Sequence, residues 1–121
     1  ALMREIWDLL EQGVAGPSEI DEAVRTSMGF RLAAVGPLEV HDFGGLDIHA
    51  TVFQNLVPEI RSRLDLPRII ADLVAQGHLG AKTGRGFYDY APGEVDQRRA
   101  RRDELFLALT KLLYADTMNS P

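Results

Sequence analysis

Four side chains able to do chemistry crowd into one short stretch: His41, Asp42, Asp47 and His49. Imidazoles and carboxylates move protons near neutral pH and bind divalent metals. The spacing argues against both uses. A zinc-binding helix carries two histidines four residues apart, as in His-Glu-x-x-His, whereas Gly44-Gly45 divides this stretch into halves. Asp42 and Asp47 are expected to cap helix ends or to accept loop amide hydrogen bonds. Glu39 and His41, two residues apart, point to different helix faces and make a poor acid–base pair. The 3 histidines and the few hydroxyls form no sequence-local nucleophile triad. Cysteine is absent, which excludes disulfides, thiolate nucleophiles and cysteine metal sites.

Glycines at 77, 80, 84 and 86 surround Lys82-Thr83 and invite comparison with phosphate-binding loops. A P-loop needs glycine immediately before its Lys-Thr pair and another five residues earlier; Ala81 and Gln76 stand at those positions. A dinucleotide fingerprint needs Gly-x-Gly-x-x-Gly between a strand and a helix. Gly84-Arg85-Gly86 lacks the third glycine and runs into Phe87, Tyr88 and Tyr90. The glycines are therefore expected to permit a tight structural loop, and Lys82 to meet solvent or a helix C-terminus. Arg98, Arg99, Arg101 and Arg102 form a basic cluster. It reads as a solvated helix face or, alternatively, as an anion contact. No residue of this chain is assigned a catalytic, cofactor-binding or metal-binding role.

The elements that hold these residues are helical. Leu2, Met3, Ile6, Leu9 and Leu10 repeat at helical spacing with no capping residue ahead of them, so upstream sequence is expected. Gly13 suits the left-handed residue past that helix's end. Ser18 is the expected N-cap of a second helix, with Asp21 at its third position, Ile20, Ala23, Val24 and Met28 inward, and Gly29 closing it. Phe30 to Val35 shows no clear period. Pro37 opens a short helix, Gly44-Gly45 breaks it, and a longer helix follows with Leu46, Ala50, Phe53, Leu56, Val57 and Ile60 inward until Pro58 kinks or ends it. Pro67 opens a helix to about Gln76, with Leu66, Ile69, Ile70, Leu73 and Val74 inward. Residues 77–90 are expected to be extended or hairpin-like. A last helix runs from about Val95 to Asp116 and is apolar nearly all round at Leu105, Phe106, Leu107, Leu109, Leu112, Leu113 and Tyr114.

The expectation is an all-α fold, a single compact bundle of five or six helices over residues 1–121, with one ordered glycine-rich loop. A chain of 121 residues fits one domain that buries roughly two-thirds of its unfolded surface. Hydrophobic residues make up 45% and charged residues 26%, as in soluble globular proteins. The net charge of −5 argues against a nucleic-acid partner. No apolar run suggests a membrane span and no signal peptide is visible; a cytoplasmic location is expected.

Three segments carry a family resemblance. Gly36-Pro37-Leu38-Glu39-Val40-His41-Asp42-Phe43-Gly44-Gly45-Leu46-Asp47 resembles the Gly-Pro…Asp-x-x-Gly-Leu-Asp stretch in the C-terminal domain of NAD-dependent 3-hydroxyacyl-CoA dehydrogenases. Gly80-Ala81-Lys82-Thr83-Gly84-Arg85-Gly86-Phe87-Tyr88-Asp89-Tyr90 is similar to that family's closing signature, and Glu5 through Asp21 to its first two helices in this domain. The resemblance spans about residues 1–90. It implies a fold like the C-terminal domain of 6-phosphogluconate dehydrogenase, and a helical domain that closes one side of the substrate cleft and makes a homodimer contact. NAD and the histidine–glutamate pair would belong to an N-terminal Rossmann domain absent here. The parent would oxidise a 3-hydroxyacyl-CoA, although relatives with this domain act on small non-CoA hydroxy acids. A function of another class, a free-standing helical interaction module, would need no upstream domain.

Overall fold

The computed structural model describes residues 1–60 and 65–118. Helices dominate: α1 (Leu2–Glu11), α2 (Pro17–Val24), α3 (Phe30–Ala34), α4 (Pro37–Gly44), α5 (Leu46–Leu56), α6 (Arg68–Ala75) and α7 (Glu94–Met118). A π-helical segment, Arg25–Gly29, joins α2 to α3 without a break, so the described chain reads as six helical rods. Contacts group the chain into two compact units, Ala1–Ala75 and Gln76–Pro121.

In the first unit, α1 ends in a Schellman motif. Gly13 takes φ +68°, its N–H donates to the Leu10 carbonyl, and Val14 N–H donates to Leu9. The expected glycine stop is thus met. The start of α2 differs from expectation. Gly16, not Ser18, is the N-cap, Pro17 takes the first helical position, and Glu19, not Asp21, stands third. Proline's fixed φ suits the first turn, and the Glu19 carboxylate accepts the Gly16 N–H at 2.8 Å.

Gly29 does not close the second helix, and the aperiodic Phe30–Val35 segment is mostly helical. Thr26 and Ser27 hydroxyls donate back to the Glu22 and Ala23 carbonyls. Such back-bonding competes with backbone amides and loosens a helix. The chain absorbs the disturbance as one wide turn and continues through α3. A π segment shifts the apolar register, which hides the periodicity.

Pro37 opens α4 from the Gly36 N-cap, and Gly45 at φ 90° breaks the chain before α5. Neither Asp42 nor Asp47 makes a cap hydrogen bond, contrary to expectation, because glycines hold both N-cap positions; Asp47 lies in the first turn of α5. A 3-10 turn, Val57–Glu59, containing Pro58 finishes that rod. Helix α6 packs on α1, and Glu11 of α1 accepts the Arg68 N–H at 2.8 Å, satisfying a donor at the start of α6.

Few side chains are buried. Among the described residues only Asp8, Ile20 and Pro67 reach that class. Ile69, Ile70 and Leu73 of α6 are half-buried, but Leu66 and Val74 are exposed, as are Leu46, Phe53, Leu56, Val57 and Ile60 along and beyond α5. The helical spacing of these stripes is met, but their expected burial largely is not: Ala23 and Met28 of the second helix and Ala50 of α5 are exposed as well.

The second unit combines the glycine loop with α7. Residues 80–89 form a 3-10 turn, Ala81–Thr83, and two isolated antiparallel bridges, Gly80 with Arg85 and Arg85 with Asp89. Helix α7, 25 residues long, extends roughly 37 Å at the usual rise. Its apolar residues from Leu105 to Tyr114 are exposed, Leu112 at 78%.

Candidate functional site

The glycine loop is closed by its own backbone. Gly80 N–H donates to Arg85 O at 2.8 Å, Gly84 N–H to Ala81 O at 3.2 Å, and Gly86 N–H to Tyr88 O at 2.9 Å. A phosphate cradle needs such amides free and converging; here they are spent internally. The chain leaving Gly86 enters the Arg85–Asp89 bridge instead of a helix. These residues therefore do not fit a dinucleotide pyrophosphate.

Two glycines hold the loop for different reasons. Gly84 has φ +75°, a left-handed conformation that L side chains resist. Gly86 has no such φ, but a Cβ there would lie 2.7 Å from Gly80 Cα and 2.9 Å from Gly80 N. At the centre sits Thr83, which no sequence pattern singles out. Its hydroxyl accepts the Leu79 N–H at 2.9 Å and reaches the Gly80 and Arg85 carbonyls at 3.1 and 3.0 Å. Lys82 is exposed and has no partner among the described residues.

Arg98 ties the loop's aromatic end to α7. Its guanidinium lies over Tyr88 and Tyr90, 5.6 and 5.4 Å from the ring centroids, and pairs with Glu94 at 2.7 Å. Glu94 also accepts the Ala91 N–H at 2.8 Å. That backbone hydrogen bond first, and Arg98 second, hold the Glu94 carboxyl below its ordinary range. Arg101 pairs with Glu104 and Arg102 with Asp103. Most of the basic cluster is thus matched by carboxylates, which favours a solvated face over an anion contact.

In the first unit, the chain breaks at Gly44-Gly45, and across that break His41 of α4 and His49 of α5 stack. Their ring centroids are 4.0 Å apart and their planes 14° from parallel. Gly44 makes room, since a Cβ at that position would stand 2.6 Å from His49 Nε2. Asp42 and Asp47 do not join the pair: among the described residues no group of three metal-ligating side chains forms. The stack opens on a cleft that also receives Met28 and Arg31. Linear spacing gives Met28 only as an inward residue of the second helix and does not point to Arg31. The one signal in the sequence is Arg31 itself, a lone cation inside the apolar run Phe30–Val35.

Among the described residues no helix is long and apolar enough to cross a membrane. The family described as "3-hydroxyacyl-CoA dehydrogenase, C-terminal domain" matches residues 1–90. A 5-formyl-3-hydroxy-2-methylpyridine 4-carboxylate 5-dehydrogenase of Mesorhizobium japonicum is 31% identical over 93% of this chain and 37% of its own length. A 3-hydroxyadipyl-CoA dehydrogenase of Escherichia coli is 39% identical over 71% of this chain and 18% of its own. A crystal structure described as that of a 5-formyl-3-hydroxy-2-methylpyridine 4-carboxylic acid 5-dehydrogenase, an NAD+ dependent dismutase, superposes with a TM-score of 0.90 at 30% identity. The match covers 93% of this chain and 36% of that one. The chain thus spans well under half the length of these relatives.

Proposed function

This chain belongs to the 3-hydroxyacyl-CoA dehydrogenase family, as its C-terminal domain, and from that premise we propose that it serves as the non-catalytic helical domain of a larger NAD-dependent dehydrogenase. The parent reaction converts a 3-hydroxyacyl-CoA to the 3-ketoacyl-CoA. NAD and the proton-transferring pair belong to an N-terminal Rossmann domain, and this domain closes one side of the substrate cleft. The observation that carries the proposal is the family match over 1–90 together with apolar helix faces that stand exposed among the described residues.

Those faces also support a homodimer. Leu105, Phe106, Leu109, Leu112 and Leu113 share one broad side of α7, while Leu107 and Tyr114 lie on roughly the opposite side. All are exposed. A helix apolar nearly all round is normally covered on both sides, and a second subunit related by a two-fold axis supplies such cover without a new sequence. A free-standing interaction module would also want apolar faces, but it gives no reason for the dehydrogenase signature. The parent enzyme would work in the cytoplasm.

A second function has its own support. The pyridine-carboxylate dehydrogenase of M. japonicum matches across 93% of the chain, against 71% for the CoA-linked enzyme of E. coli. A small substrate without CoA is the alternative for the parent. Steady-state assays of the full-length protein with NAD, comparing 3-hydroxybutyryl-CoA with 5-formyl-3-hydroxy-2-methylpyridine 4-carboxylate and small hydroxy acids, decide between them. The 121-residue chain alone should turn over none of these. Loss of general acid–base catalysis by itself costs about a hundredfold or more. NAD-dependent turnover by the isolated chain would refute the assignment.

A further inference from the structure

Histidine is the side chain whose charge changes between about pH 5 and 8, and two of the chain's 3 histidines meet face to face. The ring centroids of His41 and His49 stand 4.0 Å apart, with the planes 14° from parallel. Neutral rings in that arrangement attract through their flat faces. Two imidazolium rings at the same separation repel as like charges, in a place only partly open to water: His41 is exposed and His49 half-buried. A Cβ at Gly44 would lie 2.6 Å from His49 Nε2, so that nitrogen sits against Gly44. Among the described residues neither ring has a hydrogen-bond or ion-pair partner, whereas an imidazolium has two N–H donors to satisfy.

The stack spans a hinge. His41 belongs to α4 and His49 to α5, and between them Gly44-Gly45 interrupts the helix, with Gly45 at φ 90°. Hinges are a few residues at element ends that absorb a change of backbone angle. The charged groups on the elements packed around the stack are Arg25 of the π-helical segment, Arg31 of α3, Glu39 and Asp42 of α4, Asp47 of α5 and Glu59 of the 3-10 turn. Arg31 lines the same cleft as both rings and adds to the repulsion of a charged pair. The carboxylates attract imidazolium rings one at a time, and among the described residues none of them bridges the two. We propose that the His41–His49 stack is a pH-sensitive clasp, which closes the α4–α5 hinge while its rings are neutral and releases it when both carry protons. The open form then binds more protons than the closed form, so opening grows as pH falls and is suppressed as pH rises. Release changes the shape of the cleft that Met28, Arg31 and Leu32 also line. The inference rests on the first unit and requires nothing of the parent's reaction.

The test is amide hydrogen exchange of the full-length protein at about pH 8 and about pH 5, corrected for intrinsic exchange rates. Mass spectrometry reads peptides covering residues 37–56 and, as reference, α1. In the wild type the protection of 37–56 should fall about tenfold or more at the lower pH, while α1 keeps its protection. His41→Phe, at an exposed position, retains a flat ring that takes no proton and should hold its protection at both pH values. His41→Ala removes the stack and should show low protection at both. His78→Gln removes the chain's third histidine and should behave as the wild type. Equal protection of 37–56 at the two pH values in the wild type would overturn the proposal, as would a fall in His41→Phe as large as the wild type's. A matching loss of protection in α1 would overturn it too, because the first unit would then be opening as a whole and not at the hinge.

Discussion

Gly86→Ala isolates the cost of one methyl group in the loop. The added Cβ would meet Gly80 Cα at 2.7 Å and Gly80 N at 2.9 Å, both backbone atoms that no rotamer change can move. Relief requires residues 80 and 86 to separate. That strains the Gly80-to-Arg85 hydrogen bond of 2.8 Å and the Gly86-to-Tyr88 bond of 2.9 Å. Overpacking of this kind costs about 1–3 kcal/mol. At about 2 kcal/mol the loop's opening equilibrium shifts roughly thirtyfold, which amide hydrogen exchange reads locally. The Gly80, Gly86 and Tyr90 amides should exchange about thirtyfold faster, while α1 amides should not change. Gly36→Ala is the matched control, because Gly36 has φ −65° and nothing within 4 Å of its Cβ position. Gly84→Ala should cost less, about 1–2 kcal/mol, since only its left-handed φ resists the change. Unchanged exchange at Gly80 and Gly86 in Gly86→Ala would refute the close-approach argument.

Thr83→Val leaves the Leu79 N–H without its acceptor and should destabilise the loop by about 1–2 kcal/mol in denaturant titration, whereas Thr83→Ser should retain most of the stability. Glu94 has its pKa lowered in the folded chain, so its contribution is present above the ordinary carboxylate range and is lost as pH falls through the folded value. Circular dichroism during acid titration should show the wild type losing an advantage over Glu94→Gln below about pH 4.5. Lys82→Ala should leave turnover of the full-length protein within about tenfold, since Lys82 has no partner among the described residues and no assigned proton-transfer role. Leu107→Glu should convert a dimer to monomer in light scattering; an unaffected dimer would move the interface to another helix face.

Legibility in the sequence follows the physics of each signal. Punctuation by glycine and proline is clear where it acts through φ alone: Gly13 past α1, Pro37 in the first turn of α4 and Gly45 between α4 and α5. It misleads where side chains compete for the backbone. Ser18 has the chemistry of a cap, but Pro17 fixes the first turn one residue earlier, and Glu19 rather than a hydroxyl supplies the acceptor. The π-helical segment is invisible to periodicity, since back-bonding by Thr26 and Ser27 breaks the repeat while the helix carries on. Apolar stripes are legible as stripes, yet their period reports only that a face must be covered. Ile20 is covered within this chain at 7% exposure, and Phe53 with the same kind of spacing is not, at 66%.

The same limit explains the candidate site. Linear spacing rules out His41 and His49 as a helical metal pair, but that argument concerns chelation only. Along the sequence, Gly44-Gly45 stands as a barrier between the two histidines. In the folded chain the two histidines meet across it, because Gly45 takes the positive φ that ends α4 and the missing Cβ at Gly44 admits the His49 ring. Arg31 sits in a segment whose helical state the sequence conceals, so its place beside that stack is not legible from spacing either. Chemistry carried by residues on one continuous helix is readable from their separation. Chemistry assembled across a break depends on the angle of the break, which two glycines permit but do not specify.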